Sequence, residues 1–395
     1  MKKTAIIREN FYQESLFTFE SNCCFTAIDK INISPSEVRN IIKVESLSSK
    51  PIKFAFQPKD GLVRIDEKTG ATLEENILSS LISIDDNQIE NYKKFFERNG
   101  FLFPIGTDKF EQIDDEMLIR LIDRMRSTVR LMSQISEVEK KDYKKILSLT
   151  LSLLLSNPFE IKIGETSYSS CEHKILRDEF SEANNLPKNE YFNTDKDWMF
   201  EVNDSIYGKY KLHVDEYRHY VTDSEISDLE RSIIQSYVNH QKAPRKQRLL
   251  IEFLYHVYFD IGSFYAVMPD EILFNVGFKT TGSIPNWGAF DDKLKNALIE
   301  VAKIVITEEI NSNMVGVHPE YDSSIMEPRW KVDSLLGALY FSIFYMKPNV
   351  EITRLCANPK CNRYFTVSRT SSKKKYCSNE CCNRALQNRY RAKHK

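Results

Sequence analysis

Near its C-terminus the chain reads "CANPKCNRYFTVSRTSSKKKYCSNECCNRALQNRYRAKHK", with Cys356 and Cys361 at C-x4-C spacing and, beyond fifteen intervening residues, Cys377 and Cys381 at C-x3-C spacing. A segment this short and this polar cannot build a hydrophobic core of its own. Four thiolates gathered around one tetrahedral ion remove that difficulty, because structural zinc sites are four-coordinate and an apparent binding energy of ~10–16 kcal/mol is enough to fold a finger-sized peptide. Ordinary burial explains these thiols poorly: five of the eight cysteines fall within 27 residues of the most polar part of the chain. Cys23, Cys24 and Cys171 have no partner at ligand spacing and read as core or surface thiols. One structural Zn²⁺ is therefore expected, with Cys356, Cys361 and Cys377 as ligands and Cys381 or its neighbour Cys382 as the fourth.

The same stretch resembles the CGNR-type zinc finger found at the C-terminus of bacterial proteins described as transcription regulators. The resemblance covers about 40 residues: the first cysteine pair, the aromatic pair Tyr364-Phe365, the Tyr376-Cys377-Ser378 triplet and the Asn383-Arg384 pair. The chain departs from the family in its name-giving tetrapeptide, where Cys381-Cys382-Asn383-Arg384 has Cys in place of Gly. The resemblance implies that Cys381, which occupies the motif's cysteine position, is the fourth ligand. It also implies a bacterial DNA-binding regulator in which a helical sensor or assembly domain precedes the finger.

Charge supports a polyanionic partner. From Arg354 onward there are 12 Lys and Arg and a single acid, Glu380, so this segment carries +11 while residues 1–353 carry −12. Four thiolates around Zn²⁺ would remove about two of those positive charges. At about 100° per residue a final helix sets Arg384, Asn388, Arg391 and Lys395 within a stripe of about 60°, with Leu386 and Tyr390 opposite. The apolar pair is expected to lean on Tyr364 and Phe365, holding the basic face outward. Lys373, Lys374 and Lys375 lie just before Cys377 and flank that face. Together with Asn383, Arg389 and Lys393 these residues form the candidate nucleic-acid surface, in which cations neutralise phosphates and Asn or Arg read base edges.

The remainder reads as a mainly α protein with a small mixed α/β part at its N-terminus. Residues 1–75 alternate short apolar runs with Pro, Gly and Asp, a strand-and-turn texture. Residues 76–350 form a helical body, with helices expected in "DNQIENYKKFFERNGFLFP", "DDEMLIRLIDRMRSTVRLMSQISE" and "KKDYKKILSLTLSLLLS", then in "SEISDLERSIIQSYVNHQ", "PRKQRLLIEFLYHVYFDIGSFYAV", "FDDKLKNALIEVAKIVITEEINSN" and "VDSLLGALYFSIFYM". Thr222 and Glu225 have capping-box spacing before the fourth of these. Residues 354–395 form the finger with its short hairpin and basic helix.

Arg8, Glu9 and Asn10 interrupt the apolar run of "MKKTAII" and argue against secretion. The longest apolar stretches, at 146–156 and 335–346, are shorter than the ~20 residues that cross a bilayer, so a cytoplasmic protein without membrane contact is expected. No P-loop, dinucleotide fingerprint, H-E-x-x-H or G-x-S-x-G motif occurs. His213, His219, His240 and His256 lie in or near helical segments and read as hydrogen-bonded surface or core residues. The expectation is a regulator that binds DNA rather than RNA, with room for a homodimer and an unidentified small-molecule effector. The alternative is an RNA-targeting effector enzyme whose finger positions nucleic acid, for which Arg218, His219 and Asp223 are the best seed.

Overall fold

Apolar residues alternate in "FTF" and "FAF", and in an extended chain alternation puts them on one face. A computed structural model describes residues 16–393 apart from 35–36, 58–59, 67, 74–75, 86–88, 107–109, 138–140, 165, 174–198, 214–226, 325, 348–350, 362 and 369–373. In it the strands Phe17–Ser34 and Glu37–Gln57 pair antiparallel along their length, with Phe17 opposite Phe56 and Phe19 opposite Phe54. The rings of Phe17 and Phe56 stack nearly parallel with centroids 5.6 Å apart, and those of Phe19 and Phe54 lie 5.7 Å apart. Such cross-strand aromatic pairs each add about 0.2–1 kcal/mol to a sheet. Gly61–Arg64 and Phe110–Asp114 pair with opposite ends of Glu37–Gln57, completing a four-stranded sheet.

The chain divides into two compact units. The first comprises residues 1–136, 158–171 and 309–395. Its core lies against the sheet. Helix Leu335–Phe344 is apolar on every side and buried from Leu335 to Ile343, and the Phe341 ring meets Phe17 and Phe56 edge-on at 5.0 Å each. Helix Ile89–Asn99 stops before Gly100, whose φ of 81° suits the left-handed turn after a helix. Its Phe96 carbonyl accepts a hydrogen bond from the Cys24 thiol, which is therefore a core thiol. In helix Asp115–Ser136 the expected stripe of Leu118, Leu121, Ile122 and Met125 is fully buried. The same helix carries a buried ion pair, Arg124 with Glu309, and Arg124 also donates to the Cys171 carbonyl at 2.9 Å. Breaking such a pair from one side costs about 3–5 kcal/mol, because the surviving charge is stranded.

The second unit comprises residues 137–157 and 172–308. It contains helix Tyr143–Leu154, the hairpin Met199–Asp204/Gly208–His213, and helices Asp228–Asn239 and Arg245–Tyr255. Ser227 caps the first of these two, its Oγ accepting the Glu230 amide; the expected capping pair Thr222 and Glu225 lies outside the described residues. Arg245–Tyr255 runs on as a π-helical turn, His256–Ile261, and stops at Gly262 with φ 154°. A Cβ there would sit 2.9 Å from Pro285 Cγ, so the position calls for glycine. A three-stranded sheet follows, then helix Asp292–Ser312, whose residues up to Glu308 belong to this unit.

The expectation of a mainly α fold is corrected. Among the described residues helices and strands are both abundant, the strands spread over several small sheets, so the class is mixed α/β. The expected helices are present except that the one expected to run to Val267 ends at Ile261 and Phe264–Val267 is a strand, and the body also holds hairpins that periodicity did not disclose. Val317–Asp322 and Glu327–Val332 contain Pro319 and Pro328 and are mostly exposed. A two-stranded ribbon has only edge strands, which tolerate proline and need no alternating apolar face. Among the described residues no helix is long and apolar enough to cross a membrane.

Candidate metal centre and nucleic-acid interface

The strands Glu351–Leu355 and Tyr364–Ser368 pair antiparallel, and the connection between them carries the first two ligand cysteines. The Cys356 amide donates to the Arg363 carbonyl at 2.9 Å, closing the loop, and the Cys361 amide donates to the Asn358 carbonyl at 2.9 Å. The second pair arrives on a helix start. Ser378 caps helix Asn379–Lys393 by accepting the Cys381 amide at 3.2 Å, while its carbonyl accepts the Cys382 amide at 3.1 Å. The Ala357 amide donates to the Lys375 carbonyl at 2.8 Å and ties the two halves together.

The ligand atoms of Cys356, Cys361, Cys377 and Cys381 all lie within 4.8 Å of one another. Cys361 Sγ is 3.6 Å from Cys377 Sγ and 3.5 Å from Cys381 Sγ. Four sulfurs tetrahedral about one ion at ~2.3 Å stand about 3.8 Å apart, so the spacing matches a thiolate metal site. None of the described cysteines is in a disulfide. Cys382, the rival fourth ligand, is not part of the cluster. The group can hold one metal ion.

The thiols do not share their acidity evenly. Cys381, accepting from Cys361 in the ionised form, is brought down to about 7. Burial, then hydrogen bonding among the neighbouring sulfurs, pushes Cys377 up to about 12, and burial raises Cys361 too. Crowded thiolates repel, and a divalent cation is what lets all of them ionise together.

The basic helix leaves this centre almost bare. Cys381, Cys382 and the buried Ala385 pack against the finger, whereas Asn383, Arg384, Asn388, Arg389 and Arg391 are all exposed. Leu386 and Tyr390 are 54% and 66% exposed, so the pair keeps more than half of its surface open to solvent and is not buried against the finger. Arg384 makes an exposed pair with Glu380 at 3.8 Å, an interaction worth little in water. Lys374 and Lys375 are exposed beside Cys377, and the Lys374 ammonium lies 6.0 Å from the Phe365 ring. Lys373 and Lys395 lie outside the described residues, as does the side chain of Lys393.

Sequence reasoning missed a second polar cluster, in the other unit. His256 sits on the π-helical turn with Nε2 2.6 Å from Asp204 Oδ2 and Nδ1 2.5 Å from Asp260 Oδ2. Both ring nitrogens face carboxylates, so the imidazole carries both protons. Burial opposes its charge, but the hydrogen bonds to Asp204 and Asp260 prevail and raise it to about 9. Burial likewise opposes ionisation of Asp204, yet hydrogen bonds from His256, Tyr237 and the Tyr207 amide hold it at about 2. Nearby, His240 Nε2 lies 3.0 Å from Glu252 Oε1, and Glu252 also accepts from Ser205. Asp204 is far from His256 in sequence, and the local traces are the i,i+4 pair His256–Asp260 and the capping of the Ser205–Tyr207 turn by Asp204. Arg218, His219 and Asp223 lie outside the described residues.

No family model matches the chain, and neither does any curated protein or solved structure at a significant level. These comparisons therefore tie the four-thiol cluster to no family.

Proposed function

We propose that the protein binds nucleic acid as a cytoplasmic DNA-binding transcription regulator, with zinc held by Cys356, Cys361, Cys377 and Cys381 fixing a basic helix. One observation carries the reading: a helix bearing Arg384, Arg389 and Arg391 springs directly from a four-thiol cluster and is exposed beyond Ala385. A helix polar on nearly every side has little reason to persist unless something else satisfies it, and a phosphate backbone does so through its charge. Zinc is the metal best suited to four thiolates with no open position, and bound there it supplies structure rather than chemistry. Thiolate ligation also fits the reducing cytoplasm.

The reading is tested by fluorescence anisotropy of the full chain with a labelled 20-base-pair DNA duplex and its RNA counterpart, each with and without a strong chelator. The expected result is binding of intact DNA, at least about tenfold weaker once metal is removed. Shortened RNA would favour the effector-enzyme alternative, and an absence of binding to either would reject the proposal.

A further inference from the structure

A cleft of about 1060 Å³ opens in the first unit, and Cys377 forms part of its wall two residues before the basic helix begins. Just above the ~300–1,000 Å³ typical of pockets for one drug-sized ligand, it has room for more than a single small molecule. Its lining is unusual in composition. Tyr345, Tyr364 and Phe365 offer half-buried aromatic faces, and the exposed side chains of Arg98 and Arg363 border it. Lys374 stands beside the Phe365 ring, so three cations surround the opening against one carboxylate in the lining, Asp60. Gln57, Thr72 and Ser80 add hydrogen-bonding groups to the lining.

Flat aromatic faces with guanidinium groups at the rim are what unpaired nucleotides require. Each base offers a π-face for stacking whatever its identity, and its phosphate pairs with Arg or Lys. A free apolar metabolite would have no use for the cations, and duplex DNA is too wide and too well stacked to offer its bases. Nor is the cleft loosely hung. The Tyr364 amide donates to Ser83 Oγ at 2.7 Å, which fastens the finger's second strand to the end of helix Ile77–Ile82, and Tyr345 is anchored against Phe56 at 5.4 Å.

We infer that this cleft binds two or three unpaired nucleotides at a single-stranded end or junction of the nucleic acid held on the basic helix. The inference rests on the nucleic-acid reading above and adds a preference for partly single-stranded targets.

Full-length protein is titrated by anisotropy against a blunt 20-base-pair duplex and against the same duplex with a three-nucleotide extension. A free single-stranded trinucleotide is titrated in parallel by calorimetry. Arg363→Gln and Tyr364→Ala are compared with the wild type. Arg363 has an exposed side chain, so its variant keeps the test valid even if Tyr364→Ala disturbs the strand.

The extension is expected to tighten binding about tenfold, as stacking of one base and pairing of one phosphate would give. Both variants should lose most of that gain while holding the blunt duplex within about twofold. Equal affinity for blunt and extended duplexes, or a gain unchanged in Arg363→Gln, overturns the inference and leaves the proposed function standing. Binding of the trinucleotide without any affinity for duplex supports the cleft and rejects the proposed function instead.

Discussion

Cys381, in the first turn of the terminal helix, points its sulfur at Cys361, 3.5 Å away on the loop between the two finger strands. This approach joins the part of the finger that is anchored in the first unit to the part that projects from it. Cys382 is next in the chain and stands outside the cluster, because one residue of helix turns a side chain by about 100°.

Replacing either residue by serine therefore separates their roles. Cys381→Ser should weaken metal binding by more than about a hundredfold, since even a residue that only supports a ligand costs 10–100-fold when removed. Cys382→Ser should hold metal as the wild type does. Competition with a chromogenic chelator measures both, and a larger loss in Cys382→Ser would reassign the fourth ligand.

The three exposed arginines of the terminal helix should set the salt dependence. Arg384→Gln, Arg389→Gln and Arg391→Gln combined are expected to reduce the slope of log affinity against log salt by about 0.9 for each duplex phosphate left without its arginine. Metal content should not change, because none of the three touches the thiols. An unchanged slope would mean that other cations neutralise the phosphates.

The His256 cluster predicts a pH window for the second unit. His256 is raised in the folded state, so its contribution is complete below the unfolded value near 6.5 and declines as pH rises through about 9. Asp204 is depressed, so its contribution is complete above the unfolded value near 3.9 and is lost as pH falls towards about 2. Stability should therefore be highest between about pH 4 and 6.5 from this pair, and thermal melts across about pH 4–9 should show the alkaline decline. His256→Ala is expected to cost about 3–5 kcal/mol, because it leaves Asp204 buried without its counter-ion. It should also flatten the alkaline limb; a variant that keeps that limb would assign it to another group.

Phe341→Ala tests the core of the first unit. The ring meets Phe17, Phe56 and Trp330 at 5.0, 5.0 and 5.3 Å, and its removal should cost about 3–5 kcal/mol. Denaturant unfolding followed by Trp330 fluorescence reads the loss. A change under about 1 kcal/mol would mean that the helix is not the keystone of this core.

The metal cluster and the long helices were legible because both are written locally: ligands sit a few residues apart, and an apolar stripe repeats every three or four positions. Leu118, Leu121, Ile122 and Met125 lie where that stripe puts them. The short hairpins were not legible, since ribbons such as Val317–Asp322 with Glu327–Val332 bury little and contain proline. Leu386 and Tyr390 misled for a related reason. Helical phase gives the side a residue occupies, but only the packing shows how far that side is covered, and here Leu386 and Tyr390 stay more than half exposed. In the His256 cluster the i,i+4 partner Asp260 was within reach of a spacing rule, but Asp204 arrives from 52 residues away through tertiary pairing that no spacing rule encodes.

The most direct measurement is elemental analysis of full-length protein purified without chelator, paired with duplex-DNA affinity before and after the metal is stripped. The account predicts one zinc per chain and an affinity that falls with the metal and returns when zinc is restored. A chain without bound metal, or with DNA affinity indifferent to its removal, would contradict it.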